Sequence, residues 1–326
     1  MKKIAHIHAF RDKSILITGG AGFIGSHIME RLATKNHITI YDNFSRNSIK
    51  YCTNLQNVRI AKGNILSKSK LKRAVKDVDI IFHFAAIAGI HTVTKSPLMT
   101  MQVNLIGTNN LLEAVNKSES VERMIYSSTS EVYGPHVFLG SELDRTTQGP
   151  INEPRWAYAT SKLAAEHLVR SHFLENNLPV VILRYFNIYG PRQTGEGAVH
   201  NFVVNAIKNK PLIVYGDGLE VRSWCYIDDA VVGTLLSAST PKAIGQAINI
   251  GNPETATTVT TLAKTIIQIL GSKSRILLVR KRFTDVELRI PDITLAMKTL
   301  GYRPQVDLLE GITKTGEWYR QYPEAP

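Results

Sequence analysis

The stretch that most constrains this chain is residues 14–25, where the apolar run Ser14-Ile15-Leu16-Ile17-Thr18 leads directly into Gly19, Gly22 and Gly25 at Gly-x-x-Gly-x-x-Gly spacing. An amphipathic stretch follows, with Phe23, Ile24, Ile28 and Leu32 on one side. The pattern predicts the strand, tight turn and helix that open a dinucleotide-binding βαβ unit. Glycines are needed because the turn is tight, the backbone must approach a pyrophosphate and the helix must pack close to the strand. The helix N-terminus then presents free N–H groups and a positive dipole end to the phosphates. A second apolar run, 38–41, ends at Asp42, about 20 residues beyond the glycines, where a carboxylate holds the adenosine ribose. Asp42 favours NAD over NADP by repelling a 2′-phosphate; nearby Arg46 is the residue that would argue the other way.

At 326 residues the chain can form one large core or two unequal domains. No apolar run reaches the roughly 18 residues of a membrane span. Residues 1–13 are rich in Lys, Arg and His and lack the apolar core of a signal peptide, which reads as a short leader before the first strand. Cys52 and Cys225 are far apart and show no metal-ligand spacing, so reduced thiols in a cytoplasm and no metal are expected. The net charge of +12 raises the question of nucleic acid. Its basic residues, however, match no nucleic-acid-binding motif and interleave no aromatics. A solvated surface, or a field that attracts an anionic substrate, accounts for them.

Strand-like runs at 15–18, 38–41, 58–61, 80–84, 124–127 and 180–184 alternate with helical patterns, including one at 97–116 in which Ser96 caps and Pro97 takes the first turn. This alternation predicts an α/β fold: a Rossmann-like, doubly wound parallel sheet. Beyond about Asn187 Gly, Pro and Asn become frequent and elements shorten, with strands at 213–215 and 247–250 and helices at 261–270 and 308–319. The expected organisation is a dinucleotide-binding domain at 1–186 and a smaller α/β substrate domain at 187–326. The two are partly interleaved, residues near 225–250 returning to the main sheet.

Chemistry is carried by two segments. Ser127–Gly134 follows a predicted strand, which sets its hydroxyls and Glu131 at the carboxyl edge of the sheet. Tyr158 and Lys162 are four residues apart on one face of a predicted helix. Tyrosine as a base near neutral pH needs its pKa lowered by about 3 units, roughly 4 kcal/mol. A neighbouring ammonium and a cationic nicotinamide would supply that. Thr129 would hydrogen-bond the same substrate hydroxyl, orienting it for proton loss to Tyr158 and hydride loss to NAD.

With these motifs in place, the chain resembles the extended short-chain dehydrogenase/reductases of the NAD-dependent nucleotide-sugar epimerase/dehydratase family. The resemblance runs nearly end to end: the glycine loop, Asp42-Asn43-Phe44-Ser45, His83-Phe84-Ala85-Ala86, Asn104 to Thr108, Ser128 to Gly134, Tyr158 to Lys162, Arg184 to Arg192, Gly216-Asp217-Gly218 with Arg222 and Asp228-Asp229, Pro291 to Thr294, and Leu300-Gly301-Tyr302. It implies NAD held by Gly19, Gly22, Phe23, Ile24, Gly25, Asp42, Asn43, Asn64, Ile65, Phe84, Ala85, Ala86, Asn104, Tyr158 and Lys162. It implies a UDP-sugar held by Asn187, Arg192, Arg222 and Arg289, with Thr129, Ser130, Glu131, Tyr158, Lys162 and Arg289 acting in catalysis. It also implies a homodimer through helices 97–116 and 158–176, and neither nucleic acid nor membrane as partner.

Three features point within the family toward UDP-glucuronate decarboxylases. Glu131 matches the acid that dehydratases and decarboxylases carry beside Thr129. Arg289 lies two residues before Pro291-Asp292, as in decarboxylases, where many epimerases have Ser or Thr. Residues 149–156 resemble the matching segment of decarboxylases and of UDP-apiose/xylose synthases; the synthases carry Cys where this chain has Ser130. A C4 ketone beside a C5 carboxylate is a β-keto acid that loses carbon dioxide once the enolate is stabilised, and Arg289 offers a permanent planar cation for that. A C4 epimerase, a dehydratase and a non-catalytic regulator remain as alternatives; an intact Thr129, Tyr158 and Lys162 set argues against the last.

Overall fold

The computed structural model describes residues 10–116, 118, 120–281 and 285–325; the leader expected before the first strand therefore lies, up to residue 9, outside the described residues. The first strands are β1 (Ser14–Thr18), β2 (His37–Asp42), β3 (Val58–Lys62), β4 (Ile80–His83) and β5 (Arg123–Thr129). Strands Val180–Tyr185 and Ala247–Ile250 complete a seven-stranded sheet, in which the order is Ala247–Ile250, Val180–Tyr185, β5, β4, β1, β2, β3. Every pairing in it is parallel.

Alternation within β1 shows why the sheet is covered on both faces. Ile15 and Ile17 point to one side, into a core with Ile28 and Leu32 of α1 (Phe23–Leu32). Leu16 points to the other, into a core with Leu71 of α2 (Lys68–Ala74) and with Leu112 and Val169. All three are fully buried, as the central strand of a parallel sheet requires.

The helix expected at 97–116 is interrupted. A short α3 (Ile90–Lys95) precedes α4 (Pro97–Met101); a π-helical stretch, Gln102–Ile106, then leads into α5 (Gly107–Val115). Pro97 does hold the first turn, but the Ser96 side chain makes no capping bond. The π stretch accommodates an extra residue per turn and is a common device beside functional sites. Next comes α6 (Trp156–Asn176), which carries Tyr158 and Lys162.

Strands Leu212–Tyr215 and Ile276–Val279 pair with each other. Beside them helices Ala198–Ile207, Val259–Leu270 and Leu308–Gln321 share a core through Phe202, Val203, Leu262, Ile266 and Ile312. Helix Ile227–Ser239 instead lies along the main sheet, where Asp228 pairs with Arg31 of α1 at 2.9 Å. A four-stranded sheet bridges the two regions, in the order Thr257–Thr258, Val221–Arg222, Leu288–Pro291, His136–Gly140. Among the described residues no helix is long and apolar enough to cross a membrane.

Candidate active site

A cavity of about 1030 Å³ opens along the carboxyl ends of β1, β2, β4 and β5 and continues under the 187–224 region. That is at the upper end for a single ligand and leaves room for two. At one end the glycine loop forms a cradle that side chains would fill. Gly19 has φ +70°, and a Cβ there would lie 2.5 Å from the backbone N of Ala85. A Cβ on Gly25 would meet Gly19 O at 2.6 Å, where α1 packs onto the turn. Asp42 closes the cradle: one carboxylate oxygen accepts from Ala21 N at 2.9 Å and the other from Phe44 N at 2.7 Å. Burial raises its pKa against these bonds. Phe23, Ile24, Asn43, Asn64, Ile65, Phe84, Ala85 and Ala86 line the same end. The turn, the free helix N-terminus and the carboxylate fit an NAD pyrophosphate and adenosine ribose.

Asn104, expected among the cofactor contacts, does not line the cavity. The π stretch turns its amide into the interior, where it accepts from Ile87 N at 2.8 Å and donates to Ile87 O at 3.0 Å and Ser161 Oγ at 3.1 Å. It braces the loop after β4 against α6.

The carboxyl end of β5 passes into a short 3₁₀ turn, Ser130–Tyr133, begun by Thr129, whose hydroxyl accepts from Glu131 N at 3.2 Å. That turn sets Ser130 and Glu131 on the cavity wall beside Tyr158. Burial raises the Tyr158 pKa first and Glu131 adds to it; the hydrogen bond with Thr129, then Arg289 and Arg46, pull it down. The Lys162 ammonium donates to Ser127 O at 2.6 Å and lies 4.8 Å over the Tyr126 ring, and burial brings its pKa down to about 7. The net direction for Tyr158 in the free protein is upward, so the lowering that a base near neutral pH needs would have to come with the bound cofactor. Arg46, considered above for a 2′-phosphate, donates instead to Ala88 O at 3.2 Å.

The far end carries a charged array. Arg222 and Arg289 are register partners on parallel strands. Arg289 pairs with Glu131 at 3.5 Å, Arg155 with Glu131 at 3.3 Å and with Asp285 at 3.3 Å, and Arg222 with Asp285 at 2.7 Å. Among the described residues these pairs set three guanidinium groups against two carboxylates. The Nε atoms of Arg222 and Arg289 are buried with no hydrogen-bond partner among the described residues. Burial lowers the Arg289 pKa to about 10, with Glu131 opposing. Arg155 and Asp285 were not predicted as site residues, although Arg155 lies in the segment 149–156 singled out above; what was missing is the tertiary contact that brings the start of α6 against Asp285.

Asn187 lines the cavity with φ +39°, its amide donating to Ser223 O at 2.9 Å. Arg192, expected at the substrate, is elsewhere. It is buried behind α1, where its guanidinium meets Glu30 at 2.9 Å, Cys52 Sγ at 2.7 Å and His27 Nδ1 at 2.7 Å. Burial and Arg192 together push the His27 pKa down to about 3, so the ring stays neutral beside the guanidinium. Across the cavity mouth, the Glu196 carboxylate accepts from His91 N at 2.6 Å, Thr92 N at 2.9 Å and Thr92 Oγ1 at 2.7 Å. Sequence reasoning missed this strap because its two ends are about a hundred residues apart.

Residues 15–251 match the sequence profile of the NAD dependent epimerase/dehydratase family. The chain belongs to that family. Within it, the chain is 37% identical over 320 residues to UDP-N-acetyl-alpha-D-glucosaminuronate decarboxylase of Bacillus cytotoxicus, spanning 95% of this chain and 98% of that one. A UDP-glucuronic acid decarboxylase 1 of Xenopus tropicalis is 33% identical, over 95% of this chain and 72% of its own. Among solved structures, the UDP-glucuronic acid 4-epimerase of Bacillus cereus, in complex with UDP-glucuronic acid and NAD, superposes with a TM-score of 0.86 at 30% identity, covering 95% of this chain and 99% of the other. This family member therefore shares its fold and NAD dependence with epimerases, dehydratases and decarboxylases alike.

Proposed function

We propose that this family member oxidises C4 of a UDP-uronic acid and decarboxylates the resulting keto acid. The observation that carries the reading is the Glu131–Arg289 ion pair, which lines the cavity beside Tyr158 with Arg222 and Asp285 on the same wall. The similarity to a UDP-uronate decarboxylase over nearly the full length supports it.

NAD, when bound, accepts the hydride from C4. Tyr158 takes the proton of the 4-hydroxyl, oriented by Thr129, and Ser130 lines the wall beside them. The substrate carboxylate at C5 then finds Arg289. As the C5–C6 bond breaks and carbon dioxide leaves, its electron pair passes to an enolate at C5, C4 and O4. Arg289, itself buried, pairs with that developing charge. Glu131, relieved of one arginine, takes a proton from solvent and passes it to C5, which returns Glu131 to the carboxylate. Arg222 and Asn187 hold the diphosphate and sugar.

We read the apolar face formed by exposed Ile106 and half-buried Leu105, Ala164 and Leu168 as the contact between two copies in a homodimer. Two free cysteines support a reducing, cytoplasmic setting.

The test is mass spectrometry of purified protein incubated with NAD and, separately, UDP-glucuronate and its 2-acetamido analogue. Loss of carbon dioxide from either sugar nucleotide is the expected result. An isomer of unchanged mass would establish epimerisation instead and reduce Arg289 to a binding residue. The near-ultraviolet absorbance of NADH reports whether the cofactor leaves reduced.

A further inference from the structure

The positive charge of this chain is concentrated in one place. The first 80 residues hold fifteen Lys and Arg against five Asp and Glu, a net +10, whereas the remaining 246 residues contribute +2. Within the described part, most of the excess falls on β3 and α2, the edge strand of the main sheet and the helix that follows it. Arg59, Lys62, Lys70, Lys72, Arg73 and Lys76 are all exposed there. None of the six belongs to an ion pair among the described residues, and none lines the active-site cavity. Asp77 and Asp79 are the only carboxylates from Leu55 to Ile80, and Asp79 is occupied by Ser14 N at 2.7 Å.

Unbalanced charge of this kind has a cost, since like charges on neighbouring turns repel. The substrate does not account for it, because the groups that would hold a diphosphate lie in the cavity. We propose that the β3–α2 edge is a docking surface for an anionic lipid bilayer. Two features select a bilayer over nucleic acid. Leu55 and Ile60, the latter on the same face of β3 as Lys62, are 42% and 51% exposed at this sheet edge, which suits shallow contact with a headgroup layer. No aromatic residue or histidine occurs between Leu55 and Lys76, so the face has nothing on which to stack a base. Adsorption by charge needs no apolar span, so the expectation that no membrane is involved is revised only for peripheral contact.

The experiment is co-sedimentation of the full chain with vesicles of phosphatidylcholine alone or with 30% phosphatidylglycerol (about the anionic content of a charged leaflet). Binding is expected to the mixed vesicles only, weakening steeply with salt. Each cation near a charged bilayer strengthens partitioning about fivefold. The triple variant K70E/K72E/K76E is therefore expected to bind at least about a hundredfold more weakly. Its NAD-dependent turnover is expected to be unchanged, which also reports that it is folded. Absence of sedimentation with the mixed vesicles at low salt would overturn the proposal, as would a triple variant that binds as well as the parent. Tighter binding to a short DNA duplex than to the vesicles at the same salt would overturn it in favour of nucleic acid. Because the turnover control is separate from the identity of the product, failure here leaves the proposed reaction untouched.

Discussion

Arg222 and Arg289 stand opposite one another in register on two parallel strands. Such a pair of like charges is tolerable only because each has its own carboxylate, Asp285 for Arg222 and Glu131 for Arg289, with Arg155 linking the two acids. The arginines are held in place by these carboxylates, so little reorganisation would be needed for the proposed uronate and diphosphate to enter.

Replacing Arg289 by Met removes the cation facing the carboxylate while leaving Tyr158 and the cofactor cradle intact. Carbon dioxide release is expected to fall roughly 10²–10³-fold. A burst of NADH absorbance on mixing with a UDP-uronate is expected to persist. Parallel loss of both signals would place Arg289 in binding alone.

Tyr158→Phe deletes the proposed base and is expected to lower kcat by about 10²–10⁴-fold with little change in substrate KM. Stopped-flow absorbance of NADH separates this from a later defect, because the first oxidation itself is lost.

Lys162 gives a pH prediction whose sign is fixed by burial. Its folded pKa of about 7 lies below the 10.5 of a free lysine. Between those values the unfolded chain binds the extra proton, so stability rises with pH through this window and the cost of burying the charge is fully felt below it. Comparing urea midpoints of the parent and Lys162→Met at several pH values checks this. The parent should gain on the variant as pH rises from 7 to about 10, and a constant difference would mean that Lys162 is charged throughout.

Arg192→Met is expected to destabilise the fold by about 2–3 kcal/mol, by leaving the partly buried Glu30 without its cation. The KM for the sugar nucleotide should stay within about twofold. Arg222→Met should do the reverse, raising KM about tenfold or more with a smaller loss of stability. Denaturation and steady-state kinetics on the two variants distinguish the roles.

Glu196→Ala cuts three bonds to the start of α3 and frees the strap across the cavity. KM for NAD and for the sugar nucleotide are both expected to rise about tenfold, since charge-assisted bonds of this kind contribute about 1.5 kcal/mol or more. Limited proteolysis near Gly195 should become faster.

Local chemistry made much of the molecule legible beforehand. Ile15 to Thr18 followed by Gly19, Gly22 and Gly25 can hardly be anything but strand, turn and helix, and Asp42 falls at the end of the next strand because a βα unit has a characteristic length. The four-residue spacing of Tyr158 and Lys162 needs only the helical repeat.

Other features depend on which distant segments meet. Asn104 reads as a cofactor contact until a π turn, set by packing against the loop after β4 and against α6, rotates its amide onto Ile87 and Ser161. Arg192 and Arg222 are both arginines in glycine-rich, irregular sequence; one is drawn behind α1 by Glu30 and His27, the other is held over the cavity by Asp285.

The sequence by itself determined the parallel sheet, the glycine cradle and the shared helix of Tyr158 and Lys162, because each rests on residues close together in the chain whose spacing matches a backbone repeat. Only the tertiary structure decided which charges meet. Glu131, Arg155, Arg222, Asp285 and Arg289 come from four separate stretches and are joined by strand register and burial. The strength and partners of buried charges depend on desolvation and on contacts between such stretches.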